Sequence, residues 1–432
     1  MNRIALSVSR GIARVTGAAL GPYQTAVIRI GFSVTWLLFL LRELPHRHEL
    51  YGPESPWGHD LAEQLIADNG AFTALMWSDG RAWFEIVYAL AVLSSVLLLL
   101  GWRTRTMSVL FMVGVLSLQN RSVFMGDGGD NVLHLMSIYL VLTRCGQVWS
   151  LDARRARRAD EARARGERLA ADRVGPVLWC VFGFLLLTVT LAGGMDGDWF
   201  VPTLLWTVWV AQGLWWAVGR GAGSGQPRIL LDVVTNVVHN GALVVIMAEA
   251  CLIYATAGWY KIQGSRWQDG TAVFYPLHLD YFSPWPALSD ALSASGTMVM
   301  LITYGTVAVQ VAFPFTLFNR RVKNVLLVAM MTEHAVIAVV LGLPFFSLAM
   351  IAADAVFLPT SFLRRLGGWA ARGRDRLPGR LSGRLSGSPA GGPPSGGGDG
   401  GTAAVPGPRA HSGGSGEEGR VPVAEGFPGT RT

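Results

Sequence analysis

Residues 249–275, EACLIYATAGWYKIQGSRWQDGTAVFY, begin as an apolar helix holding one acid, Glu249, and end in a Gly-rich exit holding one lysine, Lys261. At helical pitch Tyr254, Ala257, Gly258 and Lys261 lie on successive turns near that exit, and Trp267, Asp269 and Gly270 follow. An apolar helix ending on a lysine reads as a membrane span whose ammonium reaches the interface. A second reading stays open: partial desolvation favours the neutral amine, which is a base. Glu249 lies about 18 Å down a regular helix from Lys261 and cannot pair with it.

The rest of the chain has the same character. Its 432 residues are 51% hydrophobic and only 15% charged, the balance of a membrane protein. Apolar runs occur at about 24–41, 83–101, 106–119, 131–145, 176–193, 199–218, 233–258, 297–318, 325–341 and 345–359. The fold class expected is therefore an all-α polytopic membrane protein with about ten transmembrane helices. The runs at 106–119, 131–145 and 345–359 are shorter than the ~20 residues of an upright span, so nine is the alternative count.

Charge orients the spans. The segment 144–173 contains nine arginines and is placed in the cytoplasm. Counting outward from it, the basic turns Arg103/Arg105, Arg220/Arg228 and Arg320/Arg321/Lys323 fall on the same side, as do both termini. The acidic turn at Asp196 and Asp198 falls outside, with the long aromatic segments 42–82 and 259–296. The expected location is the cell membrane, with lipid as partner. The net charge of +7 carries no nucleic-acid signature, because the arginines sit in short segments between apolar runs. Residues 1–20 read as a basic interfacial amphipathic helix, 21–362 as the membrane domain, and 363–432 as a disordered Gly/Ser/Pro/Arg-rich cytoplasmic tail. Cys145, Cys180 and Cys251 lack metal spacing and read as small core residues.

Ionisable residues inside spans are costly and each needs a partner or a role. These are Glu249, Glu333, His334, Asp354 and His134. Glu249 and Asp354 read as structural or gating groups. Lys261, His134 and His334 fall toward the outer leaflet in this topology. No metal is expected: His46, His48 and His59 lie in a loop without a thiolate, and GDGGD at 126–130 reads as a turn.

The order Tyr254, Ala257-Gly258, Lys261, Trp267, Gly270 resembles the segment that carries the active-site lysine in the vitamin K-dependent γ-glutamyl carboxylases, with one extra residue between Lys and Trp. These belong to the HTTM family, named for horizontally transferred transmembrane domains. TEHAVIAVVLGLPFFSLAMIA, 332–352, is similar to the carboxylase segment with a His, a Phe-Ser pair and a Met, here His334, Phe346-Ser347 and Met350. YFSPW at 281–285 and the start of the first span around Arg29 also resemble it. The likeness covers roughly residues 29–359. Asp130-Asn131 stands where the carboxylases have an Asn-His pair, with His134 a turn further in. A hairpin at 176–218 is additional, and the large lumenal domain of the animal enzymes has no counterpart here.

The resemblance implies Lys261, His334 and His134 as catalytic residues, and Tyr254, Trp267 and Phe346 around a cofactor. The cofactor would be a reduced naphthoquinone of menaquinone or vitamin K type, used with O2 and CO2. There the lysine deprotonates the quinol and the oxygenated product removes a proton from a glutamate side chain. Two other functions stand beside this one. Another HTTM protein is needed to mature a secreted peptide toxin, which sets the precedent of a maturation factor with a secreted peptide as partner. The third is a transporter or structural membrane protein with its buried charges as hydrogen-bond glue.

The topology is testable directly. A reporter active only in the cytoplasm should work when fused after Arg165 and fail after Asp290; activity at both sites would sink the ten-span arrangement.

Overall fold

The computed structural model describes residues 3–167, 172–195, 199–220 and 225–375, and every regular element among them is helical. The chain divides into Met1–Arg376 and Leu377–Thr432, and all described residues belong to the first unit. The acidic turn at Asp196 and Asp198 and the tail beyond 375 lie outside the described residues.

The main helices are α1 (Arg3–Gly17), α2 (Pro22–Glu43), α3 (Arg81–Leu100), α4 (Thr104–Arg121), α5 (Gly128–Val141), α6 (Leu151–Ala164) and α7 (Val174–Leu191). They continue with α8 (Phe200–Arg220), α9 (Gln226–Gln263), α10 (Gly296–Ala312), α11 (Arg320–Val340), α12 (Pro344–Asp354) and α13 (Thr360–Asp375). Several starts are written in the sequence. Pro opens α2, α9 and α12, where its missing N–H costs nothing. The GDGGD turn is a capping box: Asp127 accepts from Gly129 N at 2.6 Å, and Asp130 accepts from Asp127 N at 2.8 Å.

Among the described residues six helices are long and apolar enough to cross a membrane: Pro22–Leu50, Arg81–Leu100, Val174–Leu191, Gln226–Gln263, Gly296–Thr316 and Arg320–Val340. The pair formed by α12 and α13 is bent by 115° and adds a seventh if taken as one span. The apolar runs assigned to α4, α5, α8 and α12 form helices in the expected order, but do not meet that criterion alone. At 14 residues α5 rises about 21 Å, short of a ~30 Å hydrocarbon layer. The chain is thus a helical protein of multi-pass membrane type, with fewer self-sufficient spans than the apolar runs suggest.

The core lies where α2 meets α3, α5 and α12. Ile28, Phe32 and Trp36 of α2 pack there with Tyr88, Phe111 and Tyr254, all nearly or fully buried. Helices α7 and α8 form a hairpin locked by stacked Trp179 and Trp209, 4.3 Å apart. Each indole donates to the other residue's carbonyl at 2.9 Å. Phe184, Leu187 and Leu191 of α7 point outward, an apolar surface suited to lipid. Cys180 is exposed on the same helix, so only Cys145 of the three cysteines is a buried core residue. Helical periodicity around Cys180 is too uniformly apolar to tell an inner from an outer face.

Helix α1 leaves Val8 and Ile12 exposed and is held by one polar face of α9. Asn240 accepts from Leu20 N at 2.8 Å and donates to Val15 O at 2.9 Å, and Asn236 donates to Thr16 O at 3.0 Å. At the other terminus α13 continues past residue 362, where composition marks the start of the tail. Leu363 is buried, and the glycine at 367 lies against the Trp149 indole.

The Arg-rich turns gather at one end of this bundle. Arg103 pairs with Asp172 at 2.6 Å and holds its carboxyl below the ordinary carboxylate range by that hydrogen bond. Arg144 donates to Asn236 at 2.6 Å, Lys323 to Phe357 O, and Arg364 lies over the Tyr23 ring. Arg29 ties this end together. It is fully buried, and its guanidinium donates to Leu98 O at 2.6 Å, Leu99 O at 3.0 Å and Trp149 O at 2.8 Å. At the C-terminus of α3 it thereby adds a second donor to Leu98 O, which also accepts from Gly101 N at 3.0 Å, and supplies one to Leu99 O. The chain leaves α3 through Gly101 at φ 70°, where a Cβ would stand 2.6 Å from Arg29 Nη1. Asp152 completes the knot by accepting from Arg103 N at 2.9 Å and Thr104 N at 2.7 Å.

Arg29→Met should therefore cost on the order of 3 kcal/mol, because Leu99 O and Trp149 O lose the guanidinium donor and Leu98 O keeps only Gly101 N. Arg29→Lys should recover only part of it, since one ammonium cannot span two elements. Unfolding of the purified protein in mixed micelles measures both; an unchanged midpoint for Arg29→Met would remove Arg29 from its central place.

Candidate functional site

Helix α9 runs 38 residues and carries Lys261 in its last turn. Gly258, one turn earlier, faces α10 so closely that a Cβ there would stand 2.6 Å from Val311 Cγ2. Only a glycine permits this approach, and it sets Lys261 opposite Gln310, the neighbour of Val311. Lys261 Nζ donates to Gln310 Oε1, and Gln310 Nε2 donates in turn to Glu333 Oε1 of α11 at 2.6 Å. The ammonium also lies over the Trp267 indole, 5.1 Å from its centroid.

A second string runs through the next residue of α11. His334 Nε2 is 3.1 Å from Tyr254 Oη, which donates to Asp354 Oδ2 of α12 at 3.0 Å. All three side chains are buried. Consecutive helical residues point about 100° apart, so Glu333 faces α10 while His334 faces α9 and α12. Phe313 packs its edge on Tyr254 at 5.9 Å, and Phe346 sits 5.5 Å from the His334 ring. His334 Nδ1, Asp354 Oδ1 and Ser347 Oγ are buried without a protein hydrogen-bond partner. Buried polar atoms of this kind are where a further polar group can be bound.

Of the residues singled out in the sequence, the fold joins Lys261 with Trp267, and His334 with Tyr254 and Phe346. His134 belongs to a separate cluster. Its Nδ1 is 3.2 Å from Gln119 Oε1, and Gln119 Nε2 donates to Asp130 Oδ1 at 3.4 Å. With Tyr51 and Asn131 this cluster lines a cavity of about 420 Å³. Among the described residues no hydrogen bond links it to Lys261 or His334. Glu249 accepts from Tyr139 Oη at 3.4 Å, away from the lysine.

Two members of the site were not expected. Gln310 is buried between Lys261 and Glu333, and its one sequence signal is an isolated amide in the apolar run 297–318. Asp354, which read as a structural or gating group, shares the Tyr254 hydroxyl with His334. Nothing in the spacing of residues 254, 334 and 354 announces that meeting, because it depends on how three helices cross.

Compared with protein-family models, curated proteins and solved structures, the chain matches none of them.

Tyr254→Phe deletes the hydroxyl that His334 and Asp354 share and keeps the ring packing. It should cost about 1–3 kcal/mol, since both partners stay buried. A denaturation midpoint equal to wild type would show that these bonds add nothing to the fold.

Proposed function

We propose that this chain is a ten-pass membrane enzyme of HTTM type, with Lys261 as a base in a site like that of the vitamin K-dependent γ-glutamyl carboxylases. One observation carries the reading. Two strings of polar side chains, Lys261–Gln310–Glu333 and His334–Tyr254–Asp354, meet on α11 within apolar packing. A fold that needed only helix-to-helix adhesion has no use for five ionisable groups so close together in a low-dielectric interior.

The first string has a polarity suited to a base. The direct partner of Lys261 is a neutral amide, so no carboxylate pins its ammonium. Glu333 stands one amide further on, able to balance the charge that the lysine carries after taking a proton. The indole of Trp267 covers the amine and limits water. The second string holds His334 in one orientation: Nε2 is engaged by Tyr254, and Nδ1 is left for another partner.

A reduced naphthoquinone fits these residues. Tyr254, Trp267 and Phe346 offer flat aromatic faces, and His334 Nδ1 and Ser347 Oγ are polar atoms in want of a partner. Bound there, with O2 at hand, it would supply the strong base that carboxylation of a glutamate by CO2 requires. The substrate in this reading is a glutamate-bearing peptide reaching the site from the side opposite the Arg-rich end. Trp259 and Tyr260, just before the lysine, and Tyr281 and Trp285, in the segment that follows α9, are exposed and suit a membrane–water boundary. The Arg-rich end then faces the cytoplasm, in line with the positive-inside rule.

Lys261→Arg separates this reading from that of an anchoring lysine. Arginine keeps charge and length but stays protonated and cannot accept a proton. Membranes from cells overproducing the wild type should convert added menaquinol to an epoxide detectable by mass spectrometry. Lys261→Arg and Lys261→Ala should reduce that signal at least a hundredfold at equal protein level, the general scale of an acid–base contribution. Full turnover in the arginine variant would eliminate Lys261 as the base. No turnover in wild type would favour the maturation-factor or transport readings.

A further inference from the structure

The Arg-rich end holds a cavity of about 730 Å³ between the α3–α4 turn, the α5–α6 turn and the α7–α8 hairpin. Arg105, Arg144, Arg155, Trp179, Trp215 and Gln212 are among its walls. The carboxylates nearby are already engaged. Asp152 caps α4, Asp172 pairs with Arg103, and Asp160 pairs with Arg163 at 2.8 Å. Arg144 donates to Asn236 and stands 3.6 Å from Asp232. Arg105 is different. Its guanidinium stacks on Trp215, 4.6 Å from the ring centroid, and makes no hydrogen bond or ion pair to any described residue. Arg144 lies over the same ring at 5.8 Å. Two guanidinium groups on one indole, in a partly dehydrated cavity, repel each other; the single Asp232 carboxylate beside Arg144 offsets part of this, and a further anion between them would offset the rest.

A second cavity adjoins this one. It measures about 240 Å³, is walled by Val109, Leu110, Val113, Leu186 and Trp209 among others, and shares Thr106 and Gln212 with the first. Gln212 Nε2 donates to Thr106 Oγ1 at 3.3 Å, so one hydrogen bond marks the border between a cationic chamber and an apolar slot. The slot runs between α3–α4 and the α7–α8 hairpin, whose outer face is apolar and exposed. A free phosphate would use only the chamber. The pair of spaces matches a molecule with an anionic head and a hydrocarbon chain.

We propose that this cleft binds an anionic phospholipid, with its phosphate against Arg105 and Arg144 and one acyl chain in the slot between α4 and the α7–α8 hairpin. The inference rests on the membrane nature of the helices and is independent of the role of Lys261. It also accounts for the hairpin, which forms the outer wall of the lipid site. Guanidinium groups suit this head because they meet phosphate oxygens in a fork, and stacking on tryptophan keeps the fork aimed.

The test uses the full chain, purified and delipidated in detergent, with three probes: dioleoylphosphatidylglycerol, dioleoylphosphatidylcholine and inorganic phosphate. Phosphatidylglycerol should raise the melting temperature and stay bound one to one in native mass spectrometry, whereas the other two should do neither. Arg105→Gln should weaken phosphatidylglycerol binding about tenfold, the loss of one charge-assisted contact. It should shift the lipid-free melting temperature by only a few degrees, because the ring contact with Trp215 is the one interaction it removes among the described residues. Val109→Trp, which fills the slot, should weaken the lipid as well. Equal affinity in wild type and Arg105→Gln, or equal stabilisation by phosphatidylcholine, overturns the site. Stabilisation by inorganic phosphate that Val109→Trp does not disturb assigns the chamber to a free anion and overturns the lipid. Should Arg105→Gln fail to fold, a phosphatidylglycerol carrying an acyl-chain diazirine decides on wild type. Adducts on residues 109–113 or 185–186 support the proposal, and adducts confined to other helices refute it.

Discussion

The buried guanidinium of Arg29 is the contact on which the arrangement of helices depends. It sits in the second turn of α2, wholly enclosed, and donates to carbonyls at the end of α3 and in the turn before α6. An arginine in an apolar interior is tolerable only when its donors find oxygen, and helix ends offer carbonyls that need donors. Each group therefore requires the other. The consequence is geometric: α2, the α3–α4 turn and the α5–α6 turn must meet at one point. That point is also where Gly101 passes without a side chain and where Asp152 caps α4.

The same rule operates among α9, α10, α11 and α12 with different residues. There the polar groups are Lys261, Gln310, Glu333, His334, Tyr254 and Asp354, from four helices. Two strings of hydrogen bonds consume most of their capacity, but not all of it. The contrast with the Arg29 knot is informative. Arg29 spends its donors on backbone carbonyls, which cannot move without unwinding a helix, so it fastens. The strings join side chain to side chain, and their protons can shift without moving the backbone. The first arrangement suits a fastener; the second leaves buried polar atoms of His334, Ser347 and Asp354 without a partner among the described residues.

The α7–α8 hairpin stands apart from both. Its stability comes from within, through two tryptophans that stack and exchange hydrogen bonds across a pair of glycines, 183 and 213, that leave room for the rings. Its outer face is as apolar as its inner one. It is drawn into the rest at both ends: at the basic end Arg103 reaches Asp172 and Gln212 reaches Thr106, and at the other Trp77 Nε1 donates to Gly194 O at 2.7 Å while Val201 is buried with Phe72, Met112 and Leu116.

Helical class, the positions of the apolar runs, several helix starts and the clustering of arginines in certain turns were all legible in the sequence. They follow from local rules: apolar run length, proline at the first turn, and charges kept out of hydrocarbon. Lys261 and His334 were legible too, as ionisable residues where ionisable residues are costly. Which of these groups touch was decided only by the tertiary structure. Gln310 lies 49 positions from Lys261 and Asp354 lies 100 from Tyr254. Their meeting depends on the crossings of α9 with α10 and α12, which a one-residue rotation of any helix would undo. His134 shows the converse. Its sequence position suggested the same site, and the pitch of α5 turned it toward Gln119 instead. Composition put the tail's start near 363, yet α13 runs to Asp375, because Leu363 finds a buried place at the end of the bundle and the glycine at 367 fits beneath Trp149. A sequence records what each residue costs to bury; only the packed helices determine which residue offsets that cost.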